Sequence, residues 1–422
     1  MNTIFQYFQE ITQIPHCSYH AEKLQAYIVD FARRTGFAVQ TDEVGNILVK
    51  KGSPKLCLQA HYDMVCIGDA PKIEMVEKDG WLQAKNASLG ADNGMAVAMM
   101  LALMKEGREC EYLFTADEEV GLIGANALSF DLNAKYMLNL DSEDEAEVYI
   151  GCAGGADLFA SKSYSTITKE TSFYKVVVSG LPGGHSGVDI DKNIPNAIKL
   201  FSNFAHENNL EIVSVKGGER INSIPTHVEA IVAAAMPPQN VSHIEVTALD
   251  ERYPIVKEGE EVLQLLHEIP HGVLSWNENL QIPDISANLA KMELENGMCK
   301  IAVSVRAMDA EGLARVQKEI SELFTSYGFD VKSDGKYPAW KPEVNDFSKL
   351  VCQKVAKVFG KCDFKAIHAG LECAVISDIY PDLEIASIGP NIRFPHSVHE
   401  KVELASVEKT YKVVQEVIDA LS

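Results

Sequence analysis

The chain has 422 residues, of which 46% are hydrophobic, so it can bury a large core and is long enough to form two domains. Its 60 acidic residues outnumber its 38 basic ones and give a formal net charge of −22, and no basic stretch could follow a phosphate backbone. This charge argues against nucleic acids and anionic membranes as partners. The N-terminal residues lack the basic and apolar regions of a signal peptide, and no apolar run reaches the roughly 18 residues of a membrane span. We therefore expect a soluble protein of the cytoplasm.

The first part of the chain alternates strand-like and helix-like segments. "NILVKK" and "KLCLQAH" are predicted to be strands joined by a turn at "GSP", and "NGMAVAMMLALMKEG" is predicted to be a helix that ends at Gly107. The strand "EYLFTA", the helix "EEVGLIGANAL" and the strand "YMLNL" follow. This alternation is typical of an α/β domain.

From about Phe173 the pattern changes. The strand "FYKVVVSG", the helix "NIPNAIKLFSNFAHENN" and a hairpin around Asn296 and Gly297 precede the helix "AEGLARVQKEISELFTSYG" and the segment "FDVKSDGKY". After "YPAWKP" the α/β alternation returns and continues to the end of the chain. We therefore assign residues 1–173 and 338–422 to an α/β domain and residues 174–337 to an inserted α+β domain.

The nine cysteines are an odd number and include no CxxC pair. Several lie in apolar runs, such as Cys57 in "KLCLQAH" and Cys352 in "KLVCQKVAKVF". Thiols remain reduced in the cytoplasm. The sequence therefore predicts reduced thiols in the protein core.

Polar residues occur at the ends of several predicted strands of the α/β domain. They are His61 and Asp63 in "LQAHYDMV", Asp92 in "LGADNG", Glu118 and Glu119 in "FTADEE", Asp141 in "LNLD" and His396 in "RFPHS". The carboxyl ends of the strands line the ligand crevice of an open α/β sheet. Five separate segments are therefore predicted to bring side chains to one site.

The residue types at these strand ends favour a metal centre. Imidazole and carboxylate ligands suit zinc and related divalent ions, and one carboxylate can bridge two ions. Each motif alone is weak evidence: a His-x-Asp pair is common in turns, "DEE" before a helix suits the helix dipole, and Asp92 or Asn93 could cap a helix. Their occurrence at successive strand ends is what favours a metal site.

Motifs in a characteristic order resemble those of the co-catalytic di-zinc dipeptidases and aminoacylases. They are "AHYDMV", "LGADNGMAVAMMLAL", "FTADEEVGLIGA", "LNLDSE", "GLPGGHSGVDI", "IHAGLECAV" and "GPNIRFPHSVHEKV", and they extend over essentially the whole chain. Within this superfamily the chain is most similar to the bacterial aminoacyl-histidine (Xaa-His) dipeptidases, which are relatives of carnosinase. The resemblance implies a zinc-peptidase-type catalytic domain and an inserted ferredoxin-like lid that also serves in dimerisation.

The resemblance also implies roles for the strand-end residues. One metal ion is expected to be held by His61, Asp92 and Asp141, and a second by Asp92, Glu119 and His396, so that Asp92 bridges the two. Glu118 is expected to be the general base that activates a metal-bridging water, and Asp63 is expected to orient His61. The two ions are expected to be Zn²⁺, with Co²⁺ or Mn²⁺ as alternatives.

Further residues are implied to contact the substrate. His185 in "GGHSG", Asn222 in "RINSIP" and Arg306 in "SVRAM" are expected to face the substrate and its oxyanion, while Gly370, Leu371 and Glu372 in "HAGLE" grip a substrate terminus. The plainer alternatives are that Asn222 is only a turn residue and that Arg306 is only a charged residue at the edge of a strand. His185 is expected to act across the interface of a two-fold homodimer.

The sequence departs from the family pattern at three places: the inserted region is shorter than in the Xaa-His dipeptidases, and two motifs differ. Ala374 replaces a glycine after "GLEC", and "PHSVHE" places His399 close to His396. His396 directly follows Pro395, as the family ligand does, so we choose it as the ligand and treat His399 as a surface residue.

The function expected from these motifs is metal-dependent hydrolysis of unblocked dipeptides, with alanyl-histidine or β-alanyl-histidine as typical substrates. The alternatives are an amidohydrolase of N-acyl amino acids, like the aminoacylases and desuccinylases, and a catalytically silent metal-binding module. The presence of Glu118 beside Glu119 argues against the silent module, because a pure binding site needs no additional base.

Overall fold

A computed structural model describes residues 3–422 and divides the chain into two units. The first unit extends to Gly151 and also contains Pro342–Ala366 and Leu371–Ser422. The second unit contains Cys152–Lys341 and Ile367–Gly370. From the sequence, we expect the corresponding borders after residue 173 and before residue 338. In residues 3–422 no helix is both long enough and apolar enough to cross a membrane.

The N-terminal part of the first unit alternates strands and helices, as the sequence predicts. Its elements are α1 (Thr3–Thr12), α2 (Glu22–Arg34), β1 (Ala38–Thr41), β2 (Ile47–Lys50), β3 (Leu56–His61), β4 (Met75–Lys78), β5 (Trp81–Ala84), α3 (Ala91–Lys105), β6 (Glu111–Thr115), α4 (Ile123–Asn126), β7 (Tyr136–Asn139) and β8 (Glu147–Cys152). Helix α3 is apolar on all sides and almost entirely buried, as expected for a helix inside a core. The predicted helix "EEVGLIGANAL" is instead a 3-10 turn at Glu118–Val120 followed by the short α4.

The second unit is rich in strands. Its elements are β9 (Gly154–Ser163), β10 (Thr166–Ile167), β11 (Ser172–Val178), β12 (Gly184–His185), α5 (Ala197–Glu207), β13 (Glu211–Gly217), β14 (Ser223–Ile224), β15 (Val228–Ala234), β16 (Ile244–Leu249), β17 (Ile255–Val256), α6 (Gly259–Glu268), β18 (Gly272–Asn277), β19 (Ile282–Glu295), β20 (Met298–Ala307), α7 (Ala310–Ser326) and β21 (Asp330–Tyr337). The predicted hairpin is confirmed: β19 and β20 pair through a two-residue turn in which Asn296 and Gly297 both have positive φ.

The C-terminal part returns to the first unit. Its elements are α8 (Asp346–Phe359), β22 (Asp363–Ile367), α9 (Glu372–Ile379), β23 (Glu384–Ser387), β24 (Ile392–Arg393), β25 (Lys401–Glu403) and α10 (Leu404–Leu421).

The main sheet of the first unit has the strand order β1-β2-β6-β3-β7-β23-β8-β22. Its central strands β6, β3, β7 and β23 are parallel, so their carboxyl ends share one edge of the sheet. Strands β2 and β3 are consecutive in the chain but are separated in the sheet by β6. A small sheet of order β24-β25-β5-β4 belongs to the same unit. The expected α/β class is confirmed, and the parallel strands create the edge at which a site is predicted.

The large sheet of the second unit has the order β16-β11-β15-β13-β19-β20-β9-β21. Apart from β18, which pairs with β19 as a ninth strand, it divides into two groups of four strands. Within each group, numbered by chain position, the strand order is 4-1-3-2, which is the order of ferredoxin-like sheets. The groups meet where β13 pairs antiparallel with β19. The expected ferredoxin-like order is therefore present twice.

Two disulfides contradict the prediction that the cysteines are reduced. Cys17 is bonded to Cys66, and Cys352 in α8 is bonded to Cys362, with Cα–Cα distances of 5.5 and 5.6 Å. Cys352 lies close to Cys362 because the chain turns back directly after α8. The remaining cysteines, including Cys57, are buried.

We expect five thiols per chain to react with a thiol reagent in denatured, unreduced protein, because the two disulfides leave five of the nine cysteines as thiols. Prior treatment with dithiothreitol should raise the number to nine. Nine reactive thiols in protein purified and denatured without a reductant would restore the prediction of a fully reduced protein.

Candidate functional site

The residues predicted for a metal centre lie together in the first unit. His61 ends β3, Glu118 and Glu119 form the turn after β6, and Asp141 follows β7. Asp92 lies in the first turn of α3, and His396 lies in the loop between β24 and β25. Three parallel strands of the sheet therefore deliver most of these side chains from one edge.

Asp92 occupies the centre of this cluster. Its Oδ1 atom is 3.2 Å from Nε2 of His61, which is in turn 3.4 Å from Oδ1 of Asp141. Its Oδ2 atom is 3.3 Å from Nε2 of His396, which is in turn 2.8 Å from Oε2 of Glu119. Each oxygen of Asp92 thus faces a separate histidine and carboxylate. Within each of these two groups, potential ligand atoms lie within 4.8 Å of one another.

The electrostatics of the cluster favour bound cations. Hydrogen bonds to Asp92 and Glu119 raise the pKa of His396 to about 11. Burial acts to lower the pKa of His61, but neighbouring carboxylates, Asp141 first, raise it well above its usual range. Burial also raises the pKa of Asp141 to about 6. Protons on both imidazoles therefore offset the crowded negative charge in the metal-free protein.

The donor set fits two divalent metal ions. Imidazole nitrogen and carboxylate oxygen are the usual ligands of zinc-type ions, and their binding displaces the imidazole protons. The Oε1 atom of Glu119 is buried and has no hydrogen-bond partner among residues 3–422. Because a buried carboxylate oxygen without a partner is costly, this atom is a natural metal ligand.

Glu118 lies beside the two groups. Burial raises the pKa of its carboxyl well above the usual range, and the nearby carboxylates of Asp141, Glu372 and Glu119 act in the same direction. A carboxylate of raised pKa is a stronger proton acceptor than an exposed one. The environment of Glu118 is therefore suited to a general base.

Asp63 contacts both His61 and the loop that carries Glu118. Nδ1 of His61 is 3.0 Å from the backbone carbonyl oxygen of Asp63 and 3.4 Å from its carboxylate. The Asp63 carboxylate also accepts hydrogen bonds from the backbone N–H of Glu118 at 3.0 Å and from the hydroxyl of Ser18 at 2.8 Å. Donation from Nδ1 leaves Nε2 of His61 available for a metal. Ser18 was missed in the sequence, since no local motif marks it.

From the resemblance, Glu372 is expected in a loop that grips a substrate terminus. In the structure it is 1% exposed and begins α9 in the first unit. Its Oε2 atom accepts hydrogen bonds from Nε2 of Gln59 at 2.6 Å and from the hydroxyl of Thr115 at 2.8 Å. Burial raises the pKa of Glu372 to about 7. Leu371 directly precedes α9. Its neighbour Gly370 belongs to the second unit.

His185 lies on β12 of the second unit, where it pairs with Ser223 next to Asn222. Its Nδ1 atom accepts hydrogen bonds from the backbone N–H groups of Gly187 and Val188 at 3.2 and 3.3 Å. Nε2 of the neutral ring therefore carries the proton and is a hydrogen-bond donor. Burial lowers the pKa of His185, and the charge of Arg306 contributes to the same shift.

Arg306 on β20 is 8% exposed, and its guanidinium donates to the hydroxyl of Tyr337. Its Nε atom is buried without a partner in the described part of the chain. A Cβ atom on Gly370 would lie 2.9 Å from the Tyr337 ring, and one on Gly187 would lie 2.5 Å from the carbonyl oxygen of His368. These close approaches leave no room for a side chain at Gly370 in "HAGLE" or at Gly187 in "GGHSG".

Asn222 contributes a backbone contact, because its carbonyl oxygen accepts a hydrogen bond from the N–H of Ser186 at 2.9 Å. Its side chain is exposed. His185, Asn222, Arg306 and Gly370 thus all belong to the second unit, and Asn222 adjoins His185 in the paired strands.

The surroundings of His396 and Asp92 decide two alternatives left by the sequence. His399 is exposed, as predicted. Asp92 and Asn93 do not cap α3, so that alternative is wrong: Asn93 instead donates to Asp141 and to the carbonyl oxygen of Leu140. Glu400, which the sequence analysis missed, accepts hydrogen bonds from the backbone at the start of α3.

Comparison with known proteins identifies relatives along nearly the whole chain. A cytosol non-specific dipeptidase of Escherichia coli (strain K12) is 31% identical over 468 residues, which include 98% of this chain and 96% of the relative. The crystal structure of aminoacylhistidine dipeptidase from Vibrio alginolyticus matches with a TM-score of 0.87 and 29% identity, and the match covers 100% of this chain and 96% of that one.

A tripeptidase from Staphylococcus aureus has the same fold, with a TM-score of 0.62, 17% identity and coverage of 99% of this chain and 98% of that one. Residues 57–420 match the model of peptidase family M20/M25/M40. With most of its length matched, and with the resemblance drawn from its motifs confirmed, the chain belongs to peptidase family M20/M25/M40.

Proposed function

We propose that this protein is a metal-dependent dipeptidase that hydrolyses unblocked dipeptides. The observation that carries the proposal is Asp92, whose two carboxylate oxygens face two separate histidine–carboxylate groups, with Glu118 beside them. Two relatives at about 30% identity are named dipeptidases, which supports this function over an amidohydrolase of N-acyl amino acids.

Two divalent ions would be held by the residues that the sequence selected. His61, Asp92 and Asp141 would hold one ion, and Asp92, Glu119 and His396 would hold the other. We propose zinc as the native metal, with cobalt and manganese as the alternatives to be tested. When bound, the two ions supply Lewis acidity, which acidifies water and polarises a peptide carbonyl.

The protein side chains would move the protons and bind the substrate. Glu118 would accept a proton from the attacking water and donate it to the leaving amine. His185 would donate its Nε2 proton in a hydrogen bond to the developing oxyanion. Asn222 and Arg306 would face the substrate and its oxyanion. The substrate terminus would be gripped by Gly370, Leu371 and Glu372. The acidic cluster would attract the free amine of the substrate, which favours unblocked dipeptides.

We further propose a domain division, an assembly and a location. The first unit would be the catalytic domain and the second a lid that also forms a homodimer. The name of the Escherichia coli relative includes "cytosol", which supports a cytoplasmic protein. The similarity of "HAGLEC" and "GPNIRFPHS" to the Xaa-His dipeptidases favours alanyl-histidine or β-alanyl-histidine as a substrate.

A metal-reconstituted dipeptide panel tests the function. We expect chelation to abolish hydrolysis of alanyl-histidine and added zinc, cobalt or manganese to restore it, because the ligand cluster carries no Lewis acid of its own. Elemental analysis should find two ions per chain. His396→Ala should lose one ion, and His399→Ala, the matched control three residues away, should keep both.

Full activity in demonstrably metal-free protein would exclude a metallopeptidase. Cleavage of N-acetyl-histidine without any dipeptide turnover would instead establish the amidohydrolase. Binding of two ions without hydrolysis of either substrate class would indicate the silent module.

A further inference from the structure

The carboxylate of Glu400 is 2% exposed and accepts four consecutive backbone N–H groups. Its Oε2 atom is 2.7 Å from the nitrogen of Leu89 and 3.0 Å from that of Gly90. Its Oε1 atom is 2.7 Å from the nitrogen of Ala91 and 3.3 Å from that of Asp92. In residues 3–422, no ion pair involves Glu400, so these N–H groups are the main compensation for its buried charge.

The four N–H groups lie at the entry to α3, where Asp92 and Asn93 have non-helical backbone angles and the N–H groups need acceptors from elsewhere in the chain. No side chain of the first turn fills this role, because Asp92 faces the two histidines and Asn93 donates to Asp141. Glu400 therefore holds the backbone segment that carries the central carboxylate of the site into α3.

Glu400 is also connected to a second candidate ligand. It lies four residues after His396, its own N–H donates to the carbonyl oxygen of Ser397 at 3.2 Å, and it directly precedes β25. Strand β25 is fixed in turn by pairing with β5. One buried carboxylate thus joins the backbone of Asp92 to the short segment that presents His396.

From these contacts we propose that Glu400 is a positioning residue that sets the geometry of Asp92 and His396 for the second metal ion. The proposal rests on the proposed metal-dependent function. Residues behind metal ligands typically change metal affinity by about 10–100-fold when replaced. The loss should fall mainly on the ion held by Asp92, Glu119 and His396, because two of its three ligands depend on Glu400.

The test compares Glu400→Gln, Glu400→Ala and Glu403→Gln with the wild-type protein. The matched control Glu403 lies three residues further on β25, and its carboxylate accepts a hydrogen bond from Asn391 at 2.6 Å. Zn²⁺ affinities are measured by competition with a chromophoric chelator, and the cobalt protein is examined by its visible absorption spectrum. Thermal unfolding of the metal-free proteins is measured in parallel.

We expect Glu400→Gln to bind the Zn²⁺ ion held by Asp92, Glu119 and His396 about 10–100-fold less tightly and to change the cobalt spectrum. Glu403→Gln should match the wild type. The amide of glutamine retains the shape of the side chain, but its NH₂ group cannot accept the backbone N–H bonds. Glu400→Ala should show a larger loss of affinity. High Zn²⁺ concentrations should restore most of kcat in Glu400→Gln.

Wild-type affinities and an unchanged cobalt spectrum in Glu400→Gln would overturn the proposal, even if the metal-free protein melted at a lower temperature. Such a result would leave Glu400 with a purely structural role. If the wild-type protein itself bound no metal, the proposed function would fail instead, so the two failures are distinguishable. If Glu400→Ala does not fold, the Zn²⁺ affinities and the cobalt spectrum of Glu400→Gln test the proposal on their own.

Discussion

Replacing Glu118 with glutamine is expected to lower kcat by about 10²–10⁴-fold while the protein still binds two metal ions. Glutamine has the shape of glutamate but cannot accept a proton from water. Glu118 belongs to neither group around the two oxygens of Asp92, so both proposed ligand sets remain complete. Steady-state kinetics with alanyl-histidine, together with elemental analysis of the same preparation, measure the two effects.

The neighbouring residue provides the matched control. Glu119→Gln should bind the ion near His396 more weakly, because Oε2 of Glu119 lies 2.8 Å from the His396 ring and would be one of three ligands to that ion. Its activity should recover at high metal concentration, whereas that of Glu118→Gln should not. If Glu118→Gln lost metal and Glu119→Gln kept both ions, the assignment of base and ligand would have to be reversed.

Helices and turns with strong local signals were predictable from the sequence. Helix α3 follows from a long apolar run, and the β19–β20 hairpin follows from Asn296 and Gly297, which readily adopt positive φ. The segment after β6 was not predictable in this way. Its helix-like composition is interrupted by Gly121 and Leu122, which both have positive φ, and a leucine gives no signal of such a conformation.

The candidate ligands were predictable because each lies next to a recognisable element of an α/β pattern. Their supporting partners were not, because tertiary folding brings them from distant parts of the chain. Glu400 lies 311 residues from Leu89, whose N–H it accepts, and Ser18 lies 45 residues from Asp63. A glutamate before a strand or a serine in a loop has no local feature that distinguishes it from a surface residue.

Replacing His185 with alanine is expected to lower kcat by about 10²–10³-fold, or roughly 2.7–4 kcal/mol, as the loss of one oxyanion donor does in other enzymes. Gly187 and Val188 donate to Nδ1 of His185, so the ring proton resides on Nε2, and the lowered pKa keeps the ring neutral near pH 7. Metal content should remain at two ions, because His185 is not a proposed ligand. His243→Ala, which removes an exposed histidine of the same unit, is the matched control and should retain wild-type kinetics.

A mixed dimer tests whether His185 serves the site of the partner subunit, as the family resemblance implies. His185→Ala and Glu118→Gln are co-expressed with different affinity tags, so that mixed dimers can be isolated and verified. In a shared arrangement, the subunit with His185→Ala keeps its own Glu118 and receives an intact His185 from its partner, so one site per mixed dimer is whole. Random pairing makes about half of all dimers mixed, and we therefore expect about a quarter of wild-type activity to return in the unsorted mixture.

If His185 acts within its own subunit, every site retains one defect. Verified mixed dimers that remain inactive would then refute the shared site but leave the metal chemistry and the role of Glu118 intact.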